Sequence, residues 1–540
     1  MPRTLPGWLP FLWRRTLFPG TADPVTRVRL LSLLLVVSLP AVLLYPCRSF
    51  LLLEPDEGRY AQIPKEMLDR GEWVVPTLQG EPYLDKPPLM YWLVRLSYAA
   101  FGVGEESARL VPAVCVHLTI ILVYLIGRRS LGERAAFWAA MLLTVAPGYI
   151  GVARLLLLDG LLTLCVTTSV LCGFEAVRAG RFKPGWWVAS AAASGLGFLT
   201  KGPISEVLLF VPLFVFAWLN RSTARVGWKA VAVFLGIVLA VNLPWYVAMY
   251  RRQPEFLGYF FWEQNVMRFL QPFDHLQPVW YYLPILLGGF LPGVVLAVPY
   301  LRSLLFRSPP HPLTPSPPHS QAGGFWLLAG LWCVLFFSLS GSKLPTYILP
   351  AFPPLCLALG EFVARSRWDR AFATKGLVAT FAVLLAVTHY LILPRYARER
   401  SPMGRPEVVE RFVGDPNTVV VTYPRNCDSV AFYTGRSDLK QVRTKDVNQM
   451  IVDSHFRPRT VVLFTHSHSL AAFRAALPPS LRIAAVVSLK RKESGLSVLD
   501  KLLGKSPWGL CDIAVLEPAK PSVACGSAEW DRNAVGEPDR

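Results

Sequence analysis

The sequence predicts an all-α polytopic membrane protein of about eleven transmembrane helices, followed by a small extracytoplasmic α/β domain. Three observations lead there. Of 540 residues, 53% are hydrophobic and only 17% charged, and mean hydropathy is +0.39, outside the range of soluble globular chains. Apolar runs of about 18 residues or more, enough to cross a hydrocarbon core of about 30 Å, recur up to residue 394. Beyond them the pattern changes to short β-branched runs between polar stretches.

The eleven runs fall near 28–47, 109–126, 135–152, 160–177, 186–200, 203–219, 230–249, 279–300, 325–341, 346–363 and 374–394. The fifth is short, and Lys201 separates it from the sixth. The first outlasts a signal-peptide core, and Leu44-Tyr45-Pro46-Cys47-Arg48 lacks a small-residue cleavage site, so it reads as a retained helix. The 17 Trp and 18 Tyr suit interfacial belts. Three parts result: a Pro-rich cytoplasmic lead (1–27), a membrane core (28–394) and an outer domain (395–540).

A net charge of +19 invites a nucleic-acid reading, but its distribution argues against one. Arg and Lys collect in short alternate loops, as in Arg128-Arg129, Arg178 to Lys183, Arg221 to Lys229 and Arg365 to Lys375. Such loops are cytoplasmic, which places the N-terminus inside and, after eleven crossings, the C-terminal domain outside. Within the core, 308–319 is a Pro-rich cytoplasmic linker, expected to be extended.

In the outer domain 418–422, 460–464, 483–489 and 513–516 read as buried strands, and 469–477 as a helix. The tail from Lys520 reads as unstructured. Five of nine cysteines lie in spans as small hydrophobes. Outside, an oxidising compartment permits a Cys427–Cys511 disulfide. His466 and His468 share one side of a strand end but lack a third metal ligand, and no zinc-finger spacing occurs.

The chemistry points to the loop of residues 50–108. Apolar Tyr60, Ile63, Met67 and Leu68 recur near helical spacing, with Lys65, Glu66, Asp69 and Arg70 opposite, which predicts an interfacial helix. Asp56 and Glu57 stand at its start, where an acid either caps the helix or handles a proton, with Arg59 close enough to tune it. Lys86 follows Tyr83-Leu84-Asp85 and precedes two stiffening prolines. Arg268, Lys343 and Tyr347 lie in other loops on the same face. Singly, each cation is an ordinary snorkelling residue; together they suit a phosphate clamp. Asp159 and Lys201, near membrane depth, are either functional or a structural ion pair.

Taken together, Pro55-Asp56-Glu57-Gly58-Arg59-Tyr60-Ala61, Gly71-Glu72-Trp73-Val74-Val75-Pro76, Tyr83-Leu84-Asp85-Lys86-Pro87, Thr200-Lys201-Gly202, Trp280-Tyr281-Tyr282-Leu283-Pro284 and Lys343-Leu344-Pro345-Thr346-Tyr347 resemble the bacterial lipid A aminoarabinose transferases. These are polyprenyl-phosphate-sugar transferases of GT-C type, related to protein O-mannosyltransferases. The resemblance covers about residues 50–365. It implies that Asp56 is the catalytic aspartate, that Arg59, Lys86, Arg268 and Tyr347 contact donor phosphate, and that Tyr83 lines the site; the residues themselves add Lys343 to the expected phosphate contacts and Glu57, Asp85, Asp159 and Lys201 to the expected cavity. The family often has a metal-contacting glutamate where this chain has Asp85, so no cofactor is expected and a divalent metal stays open. The family is also expected to have thirteen spans, the shortfall here lying after residue 364. The implied partners are a polyprenyl (undecaprenyl) phosphate sugar and an envelope lipid, glycan or protein acceptor, at the periplasmic face of the bacterial inner membrane. Transport of a lipid-linked sugar is the rival from another class, but transporters gather polar residues near the bilayer midplane.

Overall fold

A computed structural model describes residues 24–271, 275–306, 320–466, 469–489 and 512–519. Most of the N-terminal lead, the Pro-rich linker, His468, Cys511 and the tail from Lys520 lie outside them. The contacts divide the chain into two compact units, one ending at Glu399 and one beginning at Arg400.

The first unit is helical. In chain order its main helices are α1 (Pro24–Leu44), α2 (Asp56–Asp69), α3 (Leu89–Phe101), α4 (Glu105–Leu131), α5 (Glu133–Thr144), α6 (Leu158–Val177), α7 (Pro184–Lys201), α8 (Ile204–Leu219) and α9 (Trp228–Arg252). There follow α10 (Tyr282–Gly289), α11 (Gly293–Leu305), α12 (Gln321–Leu339), α13 (Phe352–Arg365) and α14 (Phe372–Val387). All eleven expected stretches fall largely on helix. Among the described residues seven helices are long and apolar enough to cross a membrane, or eight when the pair 279–289 and 293–305, bent by 112°, counts as one. The difference from eleven lies in length and composition. Helices α5 and α8 have only 12 and 16 residues, and α7 is rich in Ala, Ser and Gly.

Those small residues have a packing role. With no hydrophobic drive between helices in lipid, close approach and interhelical hydrogen bonds hold them together. Ser169 on α6 and Ser190 on α7 each donate to the other's carbonyl, at 2.9 and 2.7 Å. Where α6 meets α8 and α12, Phe174 stacks on Phe325 at 4.2 Å and Trp326 meets it edge-on at 5.0 Å.

Helices α4, α6 and α7 each have two polar ends. At one, Arg109, Asp159 and Lys201 meet the loop of residues 50–88 or its neighbours. At the other, buried Glu175 gathers Arg129, Arg178 and Lys183 at 3.4, 2.6 and 3.9 Å.

The interfacial helix predicted after residue 56 is α2, but one of its charges faces inward. Glu66 is 2% exposed. Its carboxylate accepts from Thr77 Oγ1 at 2.9 Å and from the Gln79 and Gly80 amides at 2.8 and 3.2 Å. Gln79 and Gly80 both have positive φ (55° and 83°), the geometry of a tight hairpin turn, here joining β1 (Thr77–Leu78) to β2 (Glu81–Pro82). The solvent face expected for Glu66 is therefore corrected: the turn's amides need an acceptor.

The second unit carries a five-stranded sheet ordered β4-β3-β5-β7-β6. Its strands are β3 (Val419–Tyr423), β4 (Lys440–Gln441), β5 (Thr460–Phe464), β6 (Leu481–Ser488) and β7 (Asp512–Pro518). Strand β3 runs parallel to β4 and β5, whereas β7 is antiparallel to β5 and β6. Helices α15 (Pro406–Val413), α16 (Asp428–Thr434), α17 (Val447–His455) and α18 (Ser469–Ala476) complete it. The strand and helix pattern agrees with the α/β expectation. The strand not anticipated, β4, has two exposed residues, too few to form a pattern.

Candidate active site

Asp56 and Glu57 open α2 and point to different surroundings. Glu57 is 2% exposed. Arg109 Nε and Nη2 donate to its two oxygens at 2.9 and 2.7 Å, and the Leu53 and Leu156 amides donate at 3.0 and 2.9 Å. Burial alone would raise its pKa, but Arg109 and these hydrogen bonds outweigh it and hold the carboxyl below its ordinary value. Glu57 is thus a bracket between the loop and α4 rather than a cavity group, because every carboxylate lone pair is already engaged.

The Asp56 side chain stays 46% exposed, with Arg59 at 3.7 Å. Desolvation by the surrounding protein raises its pKa, Arg59 opposes, and Asp159 adds to the rise. An aspartate held this way is a better proton acceptor than a free one. His275 also acts on it, lowering the pKa.

Asp159 and Lys201 form an ion pair at 2.6 Å, and Lys201 Nζ lies 4.4 Å from the centre of the Tyr347 ring. Lys201 ends α7 because Gly202 follows at φ +83°, where a Cβ would lie 2.9 Å from the Phe260 ring. Lys201 and Tyr347 line a cavity of about 390 Å³ together with Lys86, Gln264 and Arg268. The rest of its wall is largely apolar, including Ile204, Val207, Phe269, Phe336 and Phe337. Desolvation pushes the Lys86 pKa down to about 8; Asp85 opposes the shift, while Arg268, Lys201 and Arg59 reinforce it. Cations crowded against an apolar wall are what an anionic headgroup with a hydrocarbon tail would relieve.

Asp56 does not line this cavity, but Arg59 acts on both Asp56 and Lys86, and Asp159 links Asp56 to Lys201. Lys343 does not line it either. It is 3% exposed, with its ammonium on the Gln277 carbonyl at 2.9 Å and on that of Ser340. The expected phosphate contact is corrected: backbone acceptors take its donors and it pins the 275–277 segment instead. Tyr83 packs edge-on against Tyr91 at 6.4 Å, and burial, with the nearby Asp85 carboxylate adding to it, raises its pKa.

Asp85 also accepts from the Tyr259 hydroxyl at 2.8 Å, with Gln264 Nε2 at 3.5 Å. Among the described residues no three His, Cys, Asp or Glu side chains gather. A carboxylate surrounded by hydroxyl and amide donors does not offer the oxygen set of a hard cation. The residues present therefore do not fit the metal implied at Asp85.

Sequence reasoning overlooked Arg109, Tyr259 and Gln264. Arg109 had a signal, since a charge at the mouth of an apolar run defaults to a functional reading.

Comparison with known proteins fits this geometry. The family model described as dolichyl-phosphate-mannose-protein mannosyltransferase matches residues 85–250. An undecaprenyl phosphate-alpha-4-amino-4-deoxy-L-arabinose arabinosyl transferase of Pseudomonas aeruginosa (strain UCBPP-PA14) is 33% identical over 391 residues, 70% of this chain and 68% of that protein. The chain belongs to the undecaprenyl phosphate aminoarabinose arabinosyl transferase family. A family member from Edwardsiella ictaluri (strain 93-146) is 36% identical over 62% of this chain, which spans only 60% of that relative's length. In fold, the chain is similar to the crystal structure of ArnT from Cupriavidus metallidurans bound to undecaprenyl phosphate. The TM-score is 0.68 at 21% identity, covering 89% of this chain and 97% of that one. That likeness is one of fold, and it extends over most of both chains.

Proposed function

We propose that this protein is an integral-membrane glycosyltransferase of GT-C type. It moves a sugar from a polyprenyl phosphate, undecaprenyl phosphate by family, to an envelope acceptor such as lipid A. The observation that carries the reading is the grouping of Lys86, Lys201 and Arg268 with Tyr347 in one otherwise apolar cavity. The cavity suits the phosphate and first isoprene units of such a donor.

In this reading Asp56 accepts the proton of the acceptor hydroxyl as its oxygen attacks the anomeric carbon from the face opposite the phosphate. The new C–O bond forms as the bond to the phosphate oxygen breaks, with inversion. The departing electron pair stays on the phosphate, where Lys86, Arg59 and Arg268 meet it. Removing one such cation costs about 2–4 kcal/mol of transition-state stabilisation. The basic cluster around Glu175, at the far ends of α4, α6 and α7, supports a cytoplasmic position for that end and a periplasmic one for the cavity.

The test uses purified protein in lipid, radiolabelled undecaprenyl-phosphate sugars, and envelope lipid, glycan and protein fractions as acceptors. Label should enter the lipid A fraction, and Asp56→Asn should slow transfer by about 10²–10⁴-fold with the fold intact. Label in protein or polysaccharide would change the acceptor. Label that only crosses the bilayer, or transfer that survives Asp56→Asn, would overturn the mechanism.

A further inference from the structure

The carboxylate at Asp85 starts a chain of hydrogen bonds that ends on a cavity cation. The Tyr259 hydroxyl donates to Asp85 Oδ1 at 2.8 Å. Gln264 Nε2 donates to the same tyrosine oxygen at 2.7 Å. The other end of that amide, Gln264 Oε1, accepts from Arg268 Nη1 at 3.1 Å. Lys86 closes the arrangement from the other side, its Nζ donating to the Asp85 carbonyl at 2.8 Å.

The backbone explains how Tyr259 and Gln264 meet. Five residues apart, they do not share a face of an α-helix, where neighbours are three or four apart. Residues Gly258–Met267 form a π-helix, whose i→i+5 period aligns them. Helical geometry tightens again at Arg268, so Gln264 and Arg268 meet at the ordinary i,i+4 spacing.

We propose that Tyr259 and Gln264 are positioning residues: they carry the anchor at Asp85 through to Arg268 and hold its guanidinium aimed at the donor phosphate, without a metal. A free arginine has many rotamers, and ordering it before the ligand arrives removes that cost from binding. The π-helix is then the device that sets the length of the brace. This inference rests on the polyprenyl-phosphate reading of the cavity and deepens it.

The experiment measures undecaprenyl phosphate binding to the full-length protein in lipid nanodiscs, with and without a chelator. Wild type, Gln264→Ala, Tyr259→Phe, Arg268→Ala and the double variant Gln264→Ala/Arg268→Ala are compared. Tyr259→Phe removes only a hydroxyl and keeps the ring, so it reports on the brace if Gln264→Ala fails to fold. Gln264→Ala and Tyr259→Phe should each weaken binding about tenfold, and the chelator should change nothing. On the Arg268→Ala background, Gln264→Ala should cost less than about twofold, because the two act as one unit. Full additivity in the double variant, or wild-type affinity in both single variants beside a weakened Arg268→Ala, overturns the brace alone. Affinity lost on chelation overturns the metal-free brace. Wild-type protein that does not bind the lipid overturns the donor reading, and the brace with it.

Discussion

Glu57 and Asp56 leave the first turn of α2 towards different environments, and those environments set their chemistry. Four hydrogen bonds complete Glu57, so it is ionised and inert; its loss would strand Arg109 unpaired in the interior, which for buried pairs costs about 3–5 kcal/mol. Asp56 is desolvated by protein yet open to a ligand, and its pKa is raised. The acid limb of the transfer rate should therefore lie above the pH of about 4 at which a free aspartate titrates. Lys86 sets the alkaline side. Burial and the neighbouring cations push its pKa down to about 8, and a phosphate beside it would raise it. The affinity it contributes is thus complete below about pH 8 and is lost as the pH climbs past that value. Binding of undecaprenyl phosphate measured from pH 6.5 to 9.5 should weaken on the alkaline side, and Lys86→Arg should flatten that limb, since arginine stays charged.

At the scale of elements, the segment of residues 70–88 has little regular structure, yet it presents Tyr83, Asp85 and Lys86. What orders it is Glu66, reaching from α2 to the two turn amides and Thr77. Glu66→Ala leaves those half-buried donors without a protein acceptor, at about 1 kcal/mol. Hydrogen exchange should then speed up across residues 74–88 while the membrane helices keep their protection. Transfer activity should fall through donor affinity more than through the chemical step, because Lys86 loses its fixed position while Asp56 keeps its own. The π-helix of Gly258–Met267 sets Gln264 against Arg268 beside that segment.

At the scale of the molecule, one end of the helical unit holds the cavity and the other the Glu175 cluster. Helix α4, with 27 residues, is about 40 Å long at 1.5 Å per residue, enough to carry charge from one membrane surface to the other. The proposed orientation has the basic cluster inside. Protease added to intact spheroplasts should therefore cleave within the α/β unit, beyond Arg400, and spare the segment ahead of α1 until the membrane is opened. Cleavage of the N-terminal segment in intact cells would reverse the orientation and place the cavity on the wrong side for a periplasmic acceptor.

Much of this was legible in the chain. Apolar runs of membrane length located the helices, because lipid demands them and tolerates little else. Short, continuous β-branched runs located four strands of the α/β unit. The text around Asp56, Lys86, Lys201 and Tyr347 carried the family and most of the cavity. Three-dimensional contact decided the rest. Glu57, Glu66 and Lys343 have the same charges as the cavity residues, and no spacing distinguishes an ion that meets a ligand from one that meets a backbone amide or carbonyl. Gln264 and Tyr259 were invisible because their alignment depends on a local change of helical period. The sequence by itself determined the frame and the kinds of group available at its mouth. Only the tertiary structure decided which charges are spent on the protein and which face the cavity, because a hydrogen-bond partner is set by distance in space.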